Sequence, residues 1–159
     1  MKNIYICLLI FIFADALYAQ KNDCSDYKSD DMCLRYTAVG CQEVVNGNHS
    51  KAINESRKIA NIIAEIELSK MVNSTVSMVT EQMTLEGVDY LEKYADTALV
   101  SSYKVFNGMK TVCQSETKLI DKTYYTYVTK EISLNNISDM LFFEDEKTKK
   151  EFRKLINKK

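Results

Sequence analysis

The sequence predicts an α+β domain, in which a long helix covers one face of a small, mainly antiparallel sheet and a C-terminal helix follows. Apolar residues recur at helical spacing after Lys51. Segments 34–45 and 124–134 are rich in β-branched and aromatic residues at strand spacing. A polar link around 120–122 joins two strand-like segments, as in an antiparallel hairpin. Helices on one face of an antiparallel sheet define the α+β class.

The first nineteen residues predict export. Lys2 precedes the apolar run 4–14, and small residues in 14–16 and 17–19 form two possible cleavage patterns. The run is too short to cross a bilayer core of about 30 Å as a permanent helix. We therefore expect residues 1–19 to be a signal peptide and the mature protein to act outside the cytoplasm, in the periplasm or cell envelope.

The acidic segment 20–33 follows as a flexible lead-in. Of the five cysteines, Cys7 lies in the signal peptide, which leaves Cys24, Cys33, Cys41 and Cys113. Exported proteins retain disulfides, so we expect one or two structural disulfides among these four residues, and only a disulfide of Cys24 would tie down the lead-in. Four cysteines allow three pairings, and the spacing does not select one. These cysteines contain no C-x-x-C pair, so their spacing does not indicate a zinc site or a redox site.

The domain itself is predicted to begin with a strand over 34–45. The turn residues 46–48 follow, and either Asn48 or Ser50 is placed to cap the long helix. From Lys51 to Met71 the apolar stripe and the charged face on the other side predict an amphipathic helix.

Beyond that helix the pattern is ambiguous. Valine spacing continues as in a helix through 72–83, but Ser, Thr and Val dominate 74–80, and their propensity favours a strand there. Gly87 is a break, and helical spacing over 88–103 predicts a second, shorter helix.

The last part of the α+β domain 34–136 is a hairpin. Alternation over 109–116 predicts one strand, and the Tyr-rich segment 124–134 predicts the other. The final region, 137–159, is predicted to be a basic helix capped by Ser138.

The chemistry-bearing residues are few. The 21 basic and 22 acidic residues give a net charge of −1, which does not indicate a nucleic-acid partner. The single histidine, His49, is expected to face solvent at the start of the long helix, and one histidine cannot build a multi-histidine metal site. Acidic clusters 30–31 and 144–146 lack the central glycine of a calcium loop. We expect no catalytic residues, no metal and no cofactor.

Two surfaces could make contacts. Tyr124, Tyr125 and Tyr127 could form a binding face, because tyrosine combines a rigid ring with a polar tip. The basic C-terminal helix could lie on an anionic membrane, although a cationic surface helix fits its composition as well.

Two stretches resemble a known family. They read YTAVGCQEVVNGNHSKAINESRKIANIIAEIEL and FNGMKTVCQSETKLIDKTYYTYVTKEISL. The first resembles the strand-then-helix opening of bacterial outer-membrane lipoproteins of the Lpp-twenty type, related to flagellar assembly protein domains. The second resembles the closing hairpin of that family, and the Ala19-Gln20 junction is similar to that of exported Bacteroidetes proteins. The resemblance implies an envelope domain without enzymatic activity. The chain lacks the lipid-attachment cysteine of the family.

These observations predict a non-enzymatic exported envelope protein of a Gram-negative bacterium. It would act through protein contacts, with envelope proteins or by self-association, in an assembly, structural or adhesive role. One alternative is a carrier of a small ligand or lipid, with a pocket between the long helix and the sheet. Another is a secreted enzyme with a cysteine nucleophile at Cys41 or Cys113.

Overall fold

The protein has an α+β fold, as predicted. A computed structural model describes residues 24–85, 102–141, 143 and 145–158. In chain order the elements are β1 (Cys33–Glu43), α1 (His49–Leu85), α2 (Ser102–Gly108), β2 (Lys110–Gln114), β3 (Lys118–Ile120), β4 (Thr123–Ser133), α3 (Leu134–Met140) and α4 (Glu146–Ile156). The predicted signal peptide 1–19 and most of the predicted helix 88–103 lie outside the described residues.

β4 is the central strand of an antiparallel sheet. On one side it pairs with β1 along the whole length of both strands, from Cys33 opposite Ser133 to Glu43 opposite Thr123. On the other side it pairs with β2 and then with β3. The predicted polar link is the two-residue turn Asp121–Lys122, in which both residues have positive φ, 45° and 66°. Such turns match the twist of the strands that they join.

α1 begins where the sequence predicted but extends to Leu85, so the predicted strand over 74–80 is wrong. Asn48 caps the helix, because its side-chain oxygen accepts a hydrogen bond from the backbone N–H of Lys51 at 3.1 Å. Within 74–80, Val76 and Val79 are buried at helical spacing in the core. Their burial outweighs the intrinsic preference of valine and threonine for strands.

The first half of α1 meets the sheet through small side chains. Every fourth residue is buried: Ala52, Ser56, Ala60 and Ala64. Four residues of an α-helix make one turn plus about 40°. The buried stripe therefore rotates slowly around α1, which matches the twist of the sheet beneath it. β1 approaches α1 closely at Gly40, where a Cβ atom would overlap the carbonyl oxygen of Ser56 and the backbone nitrogen of Ala60. Only glycine permits this approach.

The second half of α1 packs into a core of large side chains. Its buried members come from α1, α2, β4, α3 and α4: Leu68, Val72, Val76, Val79, Met83, Val105, Ile132, Leu134, Ile137, Phe152, Leu155 and Ile156. The region predicted as a separate basic helix, 137–159, therefore contributes to the core of the domain.

The start of that region also differs from the prediction. Two helices form, capped by Ser133 and Asp145. Ser138 is not a cap: it is buried inside α3, and its hydroxyl donates to the carbonyl of Asn135 at 2.8 Å. Ser133 takes the capping role because it ends β4 in an extended conformation, with its side-chain oxygen accepting from the N–H of Asn136. None of the helices in the described ranges is both long and apolar enough to span a membrane.

The close approach at Gly40 gives a direct test. In Gly40→Ala the new methyl group meets backbone atoms of α1, which cannot move aside as a flexible side chain would. We expect a loss of about 3 kcal/mol in the free energy of unfolding, measured by urea denaturation. Gly47→Ala is the matched control, since Gly47 has a positive φ of 71° but open space around it. It should cost only about 1 kcal/mol. Equal losses in the two variants would contradict the packing argument.

Candidate functional site

The side chains of β1 alternate between the two faces of the sheet. Ala38 and Gly40 are buried beneath α1, whereas Val39 and Cys41 are exposed on the other face. In register, Val39 lies opposite Tyr127 and Cys41 lies opposite Tyr125 on β4. These four residues form a continuous surface, which we call the outer patch.

The three tyrosines predicted to form one contact surface are divided between the two faces. Tyr124 pairs with Gln42 and lies on the α1 side, where its hydroxyl is 3.2 Å from Nδ1 of His49. Successive residues of a strand point in opposite directions, so Tyr124 cannot share a face with Tyr125. His49 is exposed at the first position of α1, as predicted.

A disulfide fastens the start of the described chain to the sheet. Cys24 bonds to Cys113 with a Cα–Cα distance of 5.8 Å, and Cys24 is buried. The hydroxyl of Thr37 on β1 also donates to the carbonyl of Cys24 at 3.4 Å. The bond spans a sequence separation of 89 residues, which in the chain-entropy description stabilises a fold by about 4.6 kcal/mol. This pairing is one of the three that the sequence allowed.

The segment 24–32 then covers one half of the outer edge of β1. Ser29 Oγ accepts a hydrogen bond from the N–H of Arg35 at 2.8 Å and donates to the carbonyl of Arg35 at 3.1 Å. Asp30 Oδ1 accepts from the N–H groups of Met32 and Cys33 at 2.9 and 2.8 Å. Near Arg35, the backbone groups that an edge strand leaves unpaired are therefore satisfied by side chains.

Four charged side chains hold this covering segment in place. Arg35 donates from Nε to Glu131 at 2.6 Å and from a terminal nitrogen to Asp30 at 2.5 Å. Lys110 lies 2.8 Å from the other oxygen of Glu131, whose side chain is only 8 % exposed. Hydrogen bonds from Lys110 and then Arg35 hold the pKa of Glu131 below its ordinary value. The hydrogen bond from Arg35 likewise lowers the pKa of Asp30.

The other half of the edge is open. The N–H and C=O of Arg35 both point away from β4. The direction of these groups repeats at every second residue of a strand. The backbone groups of the other odd positions, Val39 and Cys41, therefore also point away from β4. The N–H of Val44, an even position, pairs instead towards β4, with the carbonyl of Lys122 at 2.8 Å. In the part of the chain that the structure describes, the outward backbone groups of Val39 and Cys41 have no partner. We call this stretch, residues 37–43, the open edge.

Cys33 and Cys41 are free thiols. They lie on the same strand, eight positions apart, which corresponds to about 26 Å. A disulfide needs Cα atoms within about 7 Å, so these two residues cannot pair within one chain. Cys33 is partly buried, and burial together with the negative charge of Glu131 raises the pKa of its thiol. Cys41 is exposed at the centre of the outer patch.

Among the residues that the structure describes, neither of the two cysteines considered as nucleophiles, Cys41 and Cys113, is paired with His49. Cys113 is in the disulfide. Cys41 faces away from α1, whereas His49 contacts Tyr124 on the α1 side of the sheet. Among the described residues, no group of three or more His, Cys, Asp or Glu side chains is arranged to hold a metal ion.

A ligand pocket is not formed at the middle of the helix–sheet contact, because Gly40 and Ala60 close it. A shallow depression of 590 Å³ lies instead beside the first turns of α1. Its lining is mainly polar: Gln42, Glu43, Val45, Asn46, Asn48, Lys51, Ala52 and Glu55. This lining does not favour an apolar ligand.

The apolar face of the C-terminal helix is also occupied. Phe152, Leu155 and Ile156 are buried in the core, so they are not available to enter a lipid surface. Its cations form pairs nearby: Lys149 lies 3.3 Å from Asp139, and Arg153 also contacts that carboxylate.

No protein-family model matches the chain, and no curated protein is significantly similar to it.

The open edge is a feature that the sequence analysis did not predict. The open edge begins where the contacts of Ser29 and Asp30 with β1 end. In the sequence these two residues look like ordinary loop residues. An aspartate such as Asp30, whose side chain accepts from N–H groups two and three residues later, is typical of a turn. That pattern does not indicate that the turn folds back along β1.

The ion network predicts a pH-dependent stability. The pKa of Glu131 is lowered on folding, so its stabilising effect is present above its ordinary value of 4.5 and is lost as the pH falls through the lowered value. Glu131→Gln should therefore lower the free energy of unfolding by about 2 kcal/mol at pH 7, as expected for hydrogen bonds to charged groups. The difference from the parent protein should shrink below pH 4.5.

The control for this experiment is Glu116→Gln, an exposed position outside the network. Glu116→Gln should change the midpoint of urea unfolding little at pH 7 and at pH 3. A difference between parent and Glu131→Gln that stays constant from pH 7 to pH 3 would contradict the assigned pKa shift.

Proposed function

We propose that this chain is an exported protein that acts, without catalysis, by binding an extended segment of another protein at the open edge of β1. The observation that carries the proposal is the contrast between the two halves of that edge. Ser29 satisfies the backbone of Arg35, whereas the outward groups of Val39 and Cys41 are unpaired within the described residues. Proteins usually protect a free edge, because it recruits other strands.

Strand addition uses both parts of this surface. The added segment would hydrogen-bond to the backbone of Val39 and Cys41, and this gives affinity without sequence preference. Selectivity would come from the outer patch, where Val39 is 43 % exposed beside Tyr125 and Tyr127. Tyrosine and an aliphatic side chain together favour a partner with apolar or aromatic residues at alternate positions. The open edge is short, so the recognised segment would be short too.

The proposed setting is the periplasm or cell envelope of a Gram-negative bacterium, with an assembly, structural or adhesive role. The disulfide between Cys24 and Cys113 supports export, since such bonds persist in oxidising compartments. The predicted signal peptide and the resemblance to envelope lipoproteins of the Lpp-twenty type support the same setting. Of the three tyrosines that the sequence suggested as a contact face, the proposal retains Tyr125 and Tyr127, because Tyr124 lies on the other face of the sheet.

Val39→Lys tests the proposal, because a lysine on an edge opposes strand addition while it remains in solvent. A photo-cross-linking amino acid placed at Glu43, at the exposed end of β1, reports contacts in the native host. We expect a discrete cross-linked partner with the parent protein and a loss of at least tenfold in that product with Val39→Lys. The site of attachment on the partner, mapped by mass spectrometry, should be an extended segment.

The matched control is Val45→Lys, which adds the same charge at an exposed valine beyond the end of β1. It should leave the cross-link unchanged, and both variants should unfold within about 0.5 kcal/mol of the parent. Equal cross-linking by Val39→Lys and the parent, or no specific product from Glu43, would refute strand addition at this edge.

A further inference from the structure

A second surface, independent of the outer patch, lies on the solvent side of α1. It consists of Ile59, Ile62, Ile63 and Ile66, which we call the isoleucine stripe. The spacing of three, four and seven residues places all four on one face of the helix. Ile62, Ile63 and Ile66 are 44, 37 and 45 % exposed. Ile59 is partly buried, and Ala60 and Ala64 on the adjoining face of the helix are fully buried.

Packing among the described residues does not account for this stripe. A single exposed apolar residue on a surface is ordinary, whereas a contiguous group indicates a contact surface. Isoleucine is also a poorer helix former than the leucine, lysine or glutamate that usually occupy a solvent face. An amphipathic helix that exposes anchors at this spacing fits a partner helix.

Charged residues at the two ends of the stripe indicate which partner. Glu55 lies four residues before Ile59, and Lys70 lies four residues after Ile66, so both fall on the same face as the isoleucines. The side chain of Lys70 is 66 % exposed and pairs on the surface with Glu67 at 2.6 Å. Exposed pairs of this kind are weak, so Lys70 can also meet a second carboxylate.

We propose that the isoleucine stripe binds the stripe of a second copy of this chain, with the two α1 helices antiparallel. A two-fold axis between Ile62 and Ile63 places these two residues opposite each other. The same axis places Ile59 opposite Ile66 and Glu55 opposite Lys70, twice in each dimer. A parallel pair would instead place like charges against each other at both ends.

The dimer is weak and reversible. Stable protein interfaces bury about 1,600 Å² in total, and a contact limited to four turns of helix from each copy offers less. We expect a dissociation constant in the micromolar range or above. The side chain of Val39 lies on the face of the sheet that is turned away from α1, so the outer patch and the stripe are separate surfaces.

Analytical ultracentrifugation of the mature protein over a wide concentration range tests the proposal. All proteins carry Cys33→Ser and Cys41→Ser, so that neither free thiol can form an intermolecular disulfide. The single charge reversals Glu55→Lys and Lys70→Glu should each weaken dimerisation at least tenfold, because each places like charges in contact. The double variant Glu55→Lys/Lys70→Glu should restore it, since the two charges have exchanged places.

Two controls complete the design. Glu81→Lys reverses an exposed charge of α1 outside the stripe and should not alter dimerisation. Val39→Lys should not alter it either, which separates this proposal from strand addition at β1. Circular dichroism verifies that every variant is folded. A parent protein that stays monomeric at all concentrations, single reversals without effect, or a double variant that fails to recover would each overturn the proposal.

Discussion

A close contact between the helix and the sheet determines the arrangement of this molecule. At Gly40, the backbone of β1 packs directly on Ser56 and Ala60 of α1, with no room for a side chain. This contact assigns the even positions of β1 to the interior. Val39 and Cys41 are thereby directed to the outer face, and a shift of one residue would exchange the two sets. The position of the outer patch is a consequence of the contact at Gly40.

The edge of the sheet formed by β1 is then divided by the chain that precedes it. The disulfide of Cys24 brings the segment 24–32 onto the sheet, and Arg35 binds it through Asp30 and Ser29. The covering ends there. Electrostatic contacts and one covalent bond thus decide how much of β1 can pair with another chain. Acid weakens that boundary, because it protonates the Glu131 carboxylate that accepts hydrogen bonds from Lys110 and Arg35.

Much of the fold could be predicted, because periodicity reports burial. The first part of α1, the two long strands and the hairpin turn follow from patterns that are local in the chain. The strand expected over 74–80 failed because Val76 and Val79 are buried by distant residues such as Phe152, which a local pattern does not contain. The disulfide pairing and the role of Ser29 were beyond prediction for the same reason. The separation of Tyr124 from Tyr125 was available from strand period alone.

The amide hydrogen exchange of β1, followed residue by residue by NMR on dilute mature protein, tests the central claim most directly. If one half of the edge is open, the amides of Ala38 and Gly40 exchange slowly because they pair with β4, and those of Val39 and Cys41 exchange at least a hundredfold faster. The amide of Arg35 is slowed by Ser29 although it faces the same edge. Protection of Val39 and Cys41 equal to that of Ala38 and Gly40 would contradict the account.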